Sequence, residues 1–221
     1  MSERGSYTVI EGGDGVGKSS VVNYLAERNR RERGITTYTL EEPDSLRDEN
    51  GTTLVPIAET LRTTIKAKEF GRTALTNVLL FNASRRENLL QGIEPALAAG
   101  IDVFAARNYE STTVYQGFGQ GWDIDEIWRM VLEATSDEYM HPDHTFVLDL
   151  PEHERLLRLA MRDTDINLDT FESMPSDFQV RVNQGYKDLA VLRGYPIVSA
   201  LPAIEVVGDA IWQYMHGQKA A

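Results

Sequence analysis

Gly12-Gly13-Asp14-Gly15-Val16-Gly17-Lys18-Ser19 decides how this chain is read, because it fits G-x-x-x-x-G-K-[ST] and stands between an apolar run and a helical pattern. Glycines at these spacings let successive backbone N–H groups turn toward phosphate oxygens at the positive end of the following helix. Lys18 is then placed to neutralise β- and γ-phosphate oxygens, and the Ser19 hydroxyl to ligate Mg²⁺. The loop, with Ser20 directly after it, is the expected ATP-binding segment. A glycine-rich connecting turn is the plainer reading of the glycines alone; the flanking strand and helix favour phosphate binding.

Five short apolar runs punctuate the chain: Tyr7 to Ile10, Ile35 to Leu40, Ile101 to Ala106, Thr145 to Leu150 and Pro196 to Ala200. Helical patterns separate them, so the alternation predicts an α/β fold, a parallel sheet covered by helices, in a single domain over residues 1–221. Gly34, Gly100 and Gly194 stand where helices should stop. Helices are also expected around Leu54 to Ile65, Ile124 to Leu132 and Phe178 to Leu189, each with one apolar face. Glu42 to Gly51 and Asp163 to Asp177 are polar and turn-rich and are expected to be mobile loops.

Composition removes several classes. A formal charge of −12 argues against a nucleic-acid partner, since backbone affinity comes from a basic face. The absence of cysteine excludes a disulfide framework, a thiol nucleophile and Cys-ligated zinc. No apolar run approaches the roughly 20 residues that span a bilayer, and Met1 to Gly5 lacks the apolar segment of a secretory signal, so no membrane partner and a cytoplasmic location are expected.

Phe81 and Arg85, four apart, share a helix face and can set an aromatic plate beside a planar donor, although core packing and solvation explain the same spacing. Arg107 follows the third strand, at the end of the sheet where open α/β proteins bind ligands. Asp149 closes the run Phe146-Val147-Leu148 in Walker B style, either an acid that serves the metal or an ordinary strand-end acid. Arg155, Arg158 and Arg162 line one face of the helix entering the Asp163 loop, either a solvated stripe or a group that reaches ATP on closure. No Asn-Lys-x-Asp element supports guanine recognition, and His141, His144, His153 and His216 have no triad or metal spacing.

Together these residues resemble the thymidylate kinase family of nucleoside monophosphate kinases, from Tyr7 to about Tyr214. Val9 to Ser19 looks like the family's opening strand and phosphate loop, and Glu42-Pro43 like the end of its Arg-Glu-Pro element. Leu80 to Arg85 is similar to its base-binding helix, and Glu94 to Gly100 to the run before the third strand. Arg107, Ser111, Tyr115 and Gln116 fall at the spacing of its Asp-Arg-Tyr…Ser…Tyr-Gln motif. Glu41 stands where that family has arginine, and Ala106 where it has an acid. About eight additional residues follow Glu42-Pro43.

The resemblance implies a P-loop NTPase fold with strand order 2-3-1-4-5, a small lid at about 163–177, nucleotide ligands with ATP as donor and Mg²⁺ as cofactor, and a homodimer. It implies that Phe81 stacks on thymine while Arg85, Ser111 or Thr112, and Gln116 bond its edge. Arg107 and Arg62 would hold the acceptor phosphate, and Asp14 the deoxyribose 3′-hydroxyl. Lys18, Arg107 and Arg162 are the expected catalytic residues, the last because some members carry a lid arginine, and Arg158 is expected at ATP. Ser19 is the expected direct metal ligand, with Glu42 and Asp149 acting through water. The expected reaction is ATP-dependent phosphorylation of dTMP; a deoxynucleoside kinase, another pyrimidine deoxynucleotide kinase and an impaired nucleotide-binding module are the rivals.

Overall fold

The computed structural model describes residues 3–67, 71–161 and 175–217. The chain runs β1 (Tyr7–Gly12), α1 (Lys18–Arg33), β2 (Thr37–Glu41), α2 (Pro56–Lys66) and α3 (Ala74–Asn88). A π-helical turn, Leu89–Ile93, carries α3 without a break into α4 (Glu94–Ala98). Then come β3 (Asp102–Ala106), α5 (Tyr109–Thr112) with a second π-helical stretch, Thr113–Gly119, α6 (Ile124–Ala134) and α7 (Asp137–Met140). β4 (His144–Asp149), α8 (Glu152–Ala160), α9 (Ser176–Arg193), β5 (Ile197–Ser199) and α10 (Ile204–Met215) complete it.

The sheet is parallel with order β2-β3-β1-β4-β5, as expected. β1 and β3 are buried along their whole lengths, which is why they read as continuous apolar runs: helices cover both faces of a parallel sheet. Val9, Leu40, Val103 and Ala105 pack on one face against Leu89, Ile93, Ile127 and Val131. Ile10, Phe104, Ala106, Phe146 and Leu148 pack on the other, against Val21, Val22 and Leu25 of α1 and Val207, Ile211 and Trp212 of α10. α1 stops at Gly34, whose φ of 66° lets its N–H return to the Arg30 carbonyl. α2 begins at Pro56 rather than near Leu54, because proline suits a first helical turn, where no N–H partner is needed.

Residues 42–51, expected to be mobile, are tied down. Arg47 forms isolated bridges with both Thr39 and Thr53, and the Leu46 N–H donates to Asn88 Oδ1 at 2.9 Å. Leu46 is fully buried in the core, and a Cβ at Gly92 would come within 2.8 Å of its Cδ2, so the glycine makes the seat for this leucine. Residues 162–174, which include Arg162 and most of the expected lid, lie outside the described residues.

Leu46→Ala should lower unfolding stability by about 2–4 kcal/mol in urea titration, the range for truncating a buried leucine. A loss below about 1 kcal/mol would mean the segment is only loosely seated.

Candidate active site

Three glycines shape the phosphate loop at backbone angles that side chains disfavour: Gly12 (φ 138°), Gly15 (φ 86°) and Gly17 (φ 96°). At Gly12 a Cβ would also sit 2.6 Å from the Leu148 carbonyl oxygen. The loop is braced from α8. Arg155, buried, forms a two-pronged pair with Glu152 at 2.8 and 2.7 Å and donates to the Asp14 carbonyl at 3.2 Å. Arg155 is thus part of the loop's support and not of a solvated stripe. A Cβ at Gly15 would lie 3.0 Å from Leu159 Cγ, so α8 also closes the space beside that glycine.

Lys18 opens α1, and its ammonium donates to the Gly13 carbonyl at 2.7 Å. Burial and then the neighbouring Arg107 push its pKa down to about 7, against the pull of Asp14 and Glu11. A lysine so placed gains its full charge when an anion arrives.

Arg107, just past β3, has φ of 75°, the one non-glycine residue with positive φ among the described residues. Its Nη1 donates to Tyr186 Oη at 2.6 Å and Ser111 Oγ at 3.0 Å, and its Nη2 pairs with Asp14 Oδ1. Tyr115 donates to the other Asp14 oxygen at 2.7 Å. Beneath this cluster lies Glu11, fully buried, which accepts the Asn108 N–H and the Ser111 hydroxyl, both at 2.8 Å. Burial raises the Glu11 pKa, with Arg107 opposing. Burial would raise Asp14 as well, but Arg107 and Lys18 hold its carboxyl well below the usual range.

One cavity runs from this cluster, lined by Lys18, Ser19 and Ser20 at the phosphate loop and by Phe81, Thr112 and Gln116 farther on. Gln116 is buried, and neither its Oε1 nor its Nε2 has a partner; the Thr112 hydroxyl also lacks one. Buried polar atoms without partners cost free energy, so their collection in one wall marks a ligand surface. Gln116 is carried by the second π-helical stretch, an irregularity frequent at functional sites.

Arg85 is buried and committed. Its Nε donates to Glu42 Oε2 at 2.9 Å, Nη1 to Asn82 Oδ1 and Nη2 to the Asn108 carbonyl, both at 3.2 Å, and its guanidinium lies 5.3 Å from the Phe81 ring centre. Glu42 accepts from Tyr139 Oη at 2.6 Å on its second oxygen. Both residues still line the cavity.

Ser111 lines the cavity too, although its hydroxyl already serves Glu11, Arg107 and Tyr186. Asp149 pairs with Lys187 at 3.1 Å and does not line the cavity. Arg62 lies 3.5 Å from Asp44, away from the cavity lining, which Lys66 joins one turn later. Arg158 donates to the Ala200 carbonyl at 2.8 Å, with Nη1 3.9 Å from where a Gly17 Cβ would stand. Glu11, Tyr186 and Lys66 are not among the site residues expected from sequence, and Glu41 stands out there only as a departure from the family's arginine. An acid ending an otherwise apolar strand was the available signal for Glu11, whereas Tyr186 carries only the spacing of a core helix face.

A sheet of order 2-3-1-4-5, a phosphate loop after its central strand and a second binding wall in the same cavity define a P-loop phosphotransferase. Residues 10–211 match the family model described as thymidylate kinase. The chain is 35% identical to a thymidylate kinase of Chlorobaculum parvum, over 90% of this chain and 97% of that one. It is 33% identical to one from Chlamydia muridarum, over 92% and 95% respectively. The crystal structure of thymidylate kinase from Ehrlichia chaffeensis superposes with a TM-score of 0.72 at 25% identity, covering 96% of this chain and 99% of that one. The chain belongs to the thymidylate kinase family.

The depressed Lys18 pKa gives a proton-linkage prediction. An unfolded lysine titrates near 10.4, so between about pH 7 and 10 the unfolded chain holds more protons here, and this residue makes stability rise with pH. ATP restores the ammonium and should therefore take up most of one proton at about pH 8 and much less at about pH 6. Calorimetric titration in buffers of different ionisation enthalpy measures the uptake. Lys18→Met should abolish it, and a parent protein with no uptake would show Lys18 already charged.

Proposed function

We infer that the protein transfers the γ-phosphoryl group of ATP to dTMP, giving dTDP and ADP. The observation that carries this reading is the single cavity with a phosphate loop at one end, unpartnered Thr112 and Gln116 beside Phe81 at the other, and Arg107 near both. A flat aromatic face and an amide with free donor and acceptor suit a pyrimidine base.

The acceptor phosphate is largely ionised near neutral pH, so its oxygen attacks the γ-phosphorus without a dedicated base. A P–O bond forms to that oxygen as the bond to the β-phosphate bridge breaks. The protein's task is positioning and charge neutralisation: Lys18 on the donor phosphates, Arg107 on the acceptor. Arg62, with Nη1 buried and unpartnered among the described residues, is the second cation proposed for the acceptor phosphate. Asp14 is proposed to hold the sugar 3′-hydroxyl, and Arg162 to reach the transferring group.

Mg²⁺ is the proposed cofactor. Among the described residues no group of three or more His, Cys, Asp or Glu could hold a metal by itself. The oxygens of Ser19 and Glu41 on the cavity wall fit a hard cation that arrives on ATP and keeps most of its waters. Such an ion would neutralise charge developing between the β- and γ-phosphates. No helix among the described residues is long and apolar enough to cross a membrane, and we propose a cytoplasmic location in keeping with the nucleotide substrates. We propose a homodimer through the exposed Leu75, Leu79 and Leu132 of the contacting helices α3 and α6.

Screening deoxynucleoside monophosphates with ATP and Mg²⁺ tests the reading: dTMP should give the highest kcat/KM for ADP formation, and turnover of thymidine in preference to dTMP would overturn it. Gln116→Leu should raise KM for dTMP about 10–100-fold with KM for ATP unchanged, since a buried hydrogen-bonding group is worth about 1–3 kcal/mol. Equal effects on both substrates would mean a structural role.

A further inference from the structure

Glu41 ends β2 and lines the cavity with its side chain exposed. In the sheet it lies directly beside Ala106 of β3, which in turn lies beside Ile10 of β1. Side chains in register on neighbouring parallel strands point to the same face. Here that face is the one covered by α1, because Ile10, Phe104 and Ala106 pack with Val21, Val22 and Leu25. Glu41 is thus directed toward the side on which Lys18 and Ser19 begin α1. Ala106 between them ends at Cβ, and the Glu41 carboxylate is among the charges that favour the Lys18 ammonium.

The other carboxylates near the cavity are committed. Glu11 serves Asn108 and Ser111, Asp14 serves Arg107 and Tyr115, and Glu42 serves Arg85 and Tyr139. Asp149 pairs with Lys187. Among the described residues the Glu41 carboxylate makes no hydrogen bond or ion pair, although it faces a cationic cavity. Hydroxyl-bearing Ser19 is on the same wall.

We propose that Glu41, acting from β2 across the small Ala106, is the positioning carboxylate that accepts hydrogen bonds from the waters of the magnesium ion bound with ATP. The inference rests on the kinase reading for its metal. From β2 the carboxylate approaches the phosphate loop across the width of β3, two strand spacings of about 5 Å each, a span that the extended glutamate side chain and a metal-bound water close together. Outer acceptors of this kind orient the inner ligands and raise metal affinity without touching the reacting atoms.

The test is Glu41→Gln, which keeps size and exposure. ATP affinity is measured by calorimetry with and without magnesium, and turnover as a function of magnesium concentration. Metal-free ATP affinity should hold to within about twofold, while the gain in affinity from magnesium falls about tenfold and the magnesium concentration for half-maximal turnover rises about tenfold. KM for dTMP should not change. Adding Ala106→Asp to Glu41→Gln should restore most of the magnesium dependence by supplying the acid from the adjacent strand. An unchanged magnesium dependence in Glu41→Gln, or an equal fall in ATP affinity with and without the metal, would overturn the assignment. The ATP arm uses no acceptor, so absence of dTMP turnover in the parent would remove the acceptor reading while ATP affinity still decides Glu41.

Discussion

The cavity wall beyond the phosphate loop depends on how Arg107 is held. A left-handed backbone at a residue with a long side chain costs about 1–3 kcal/mol unless its surroundings impose it. Here they do. The Arg107 N–H bonds the Ile10 carbonyl at 3.0 Å, the next N–H is taken by buried Glu11, and the guanidinium is fixed by Asp14, Ser111 and Tyr186. The chain leaving β3 therefore turns abruptly into α5, which places Ser111, Thr112 and then Gln116 along one wall. The same strain that aims the cation sets the side chains proposed to bind the base.

Charge in the site is balanced before any nucleotide binds. Lys18, buried, and Arg107, half-buried, stand against Glu11 and Asp14, and Lys18 is driven toward neutrality first by its burial and then by the neighbouring guanidinium. An incoming phosphate relieves that conflict. Affinity for phosphates in a chain of net charge −12 must then come from these local cations and the helix N-terminus, not from long-range attraction.

The parts legible in the sequence are those encoded locally or by pattern. Gly12 to Ser19 is contiguous, and β1, β3 and β4 are apolar because both faces are covered. The resemblance implies the strand order and Gln116, while helix spacing and strand-end position already point to Phe81 and Arg107. What stayed hidden was pairing between distant residues. Arg85 reads by spacing as a planar donor beside Phe81 and by resemblance as a base-edge donor, yet it is tied to Glu42, 43 positions away, and Glu42 to Tyr139, 97 positions away. The polar segment after β2 reads as loose because the anchor of Leu46 is Asn88, on α3. Glu41 reads as a departure from the family, and only its register beside Ala106 shows that the carboxylate faces the phosphate loop.

The central claim is that Arg107 makes this a site for a phosphorylated acceptor. The most direct measurement is the binding of dTMP and thymidine, each titrated against the parent and Arg107→Met. In the parent dTMP should bind at least about tenfold more tightly than thymidine, and Arg107→Met should erase most of that preference while leaving thymidine affinity close to its original value. Equal weakening of both ligands would contradict the claim, because it would make Arg107 a scaffold for the base pocket and not the holder of the acceptor phosphate.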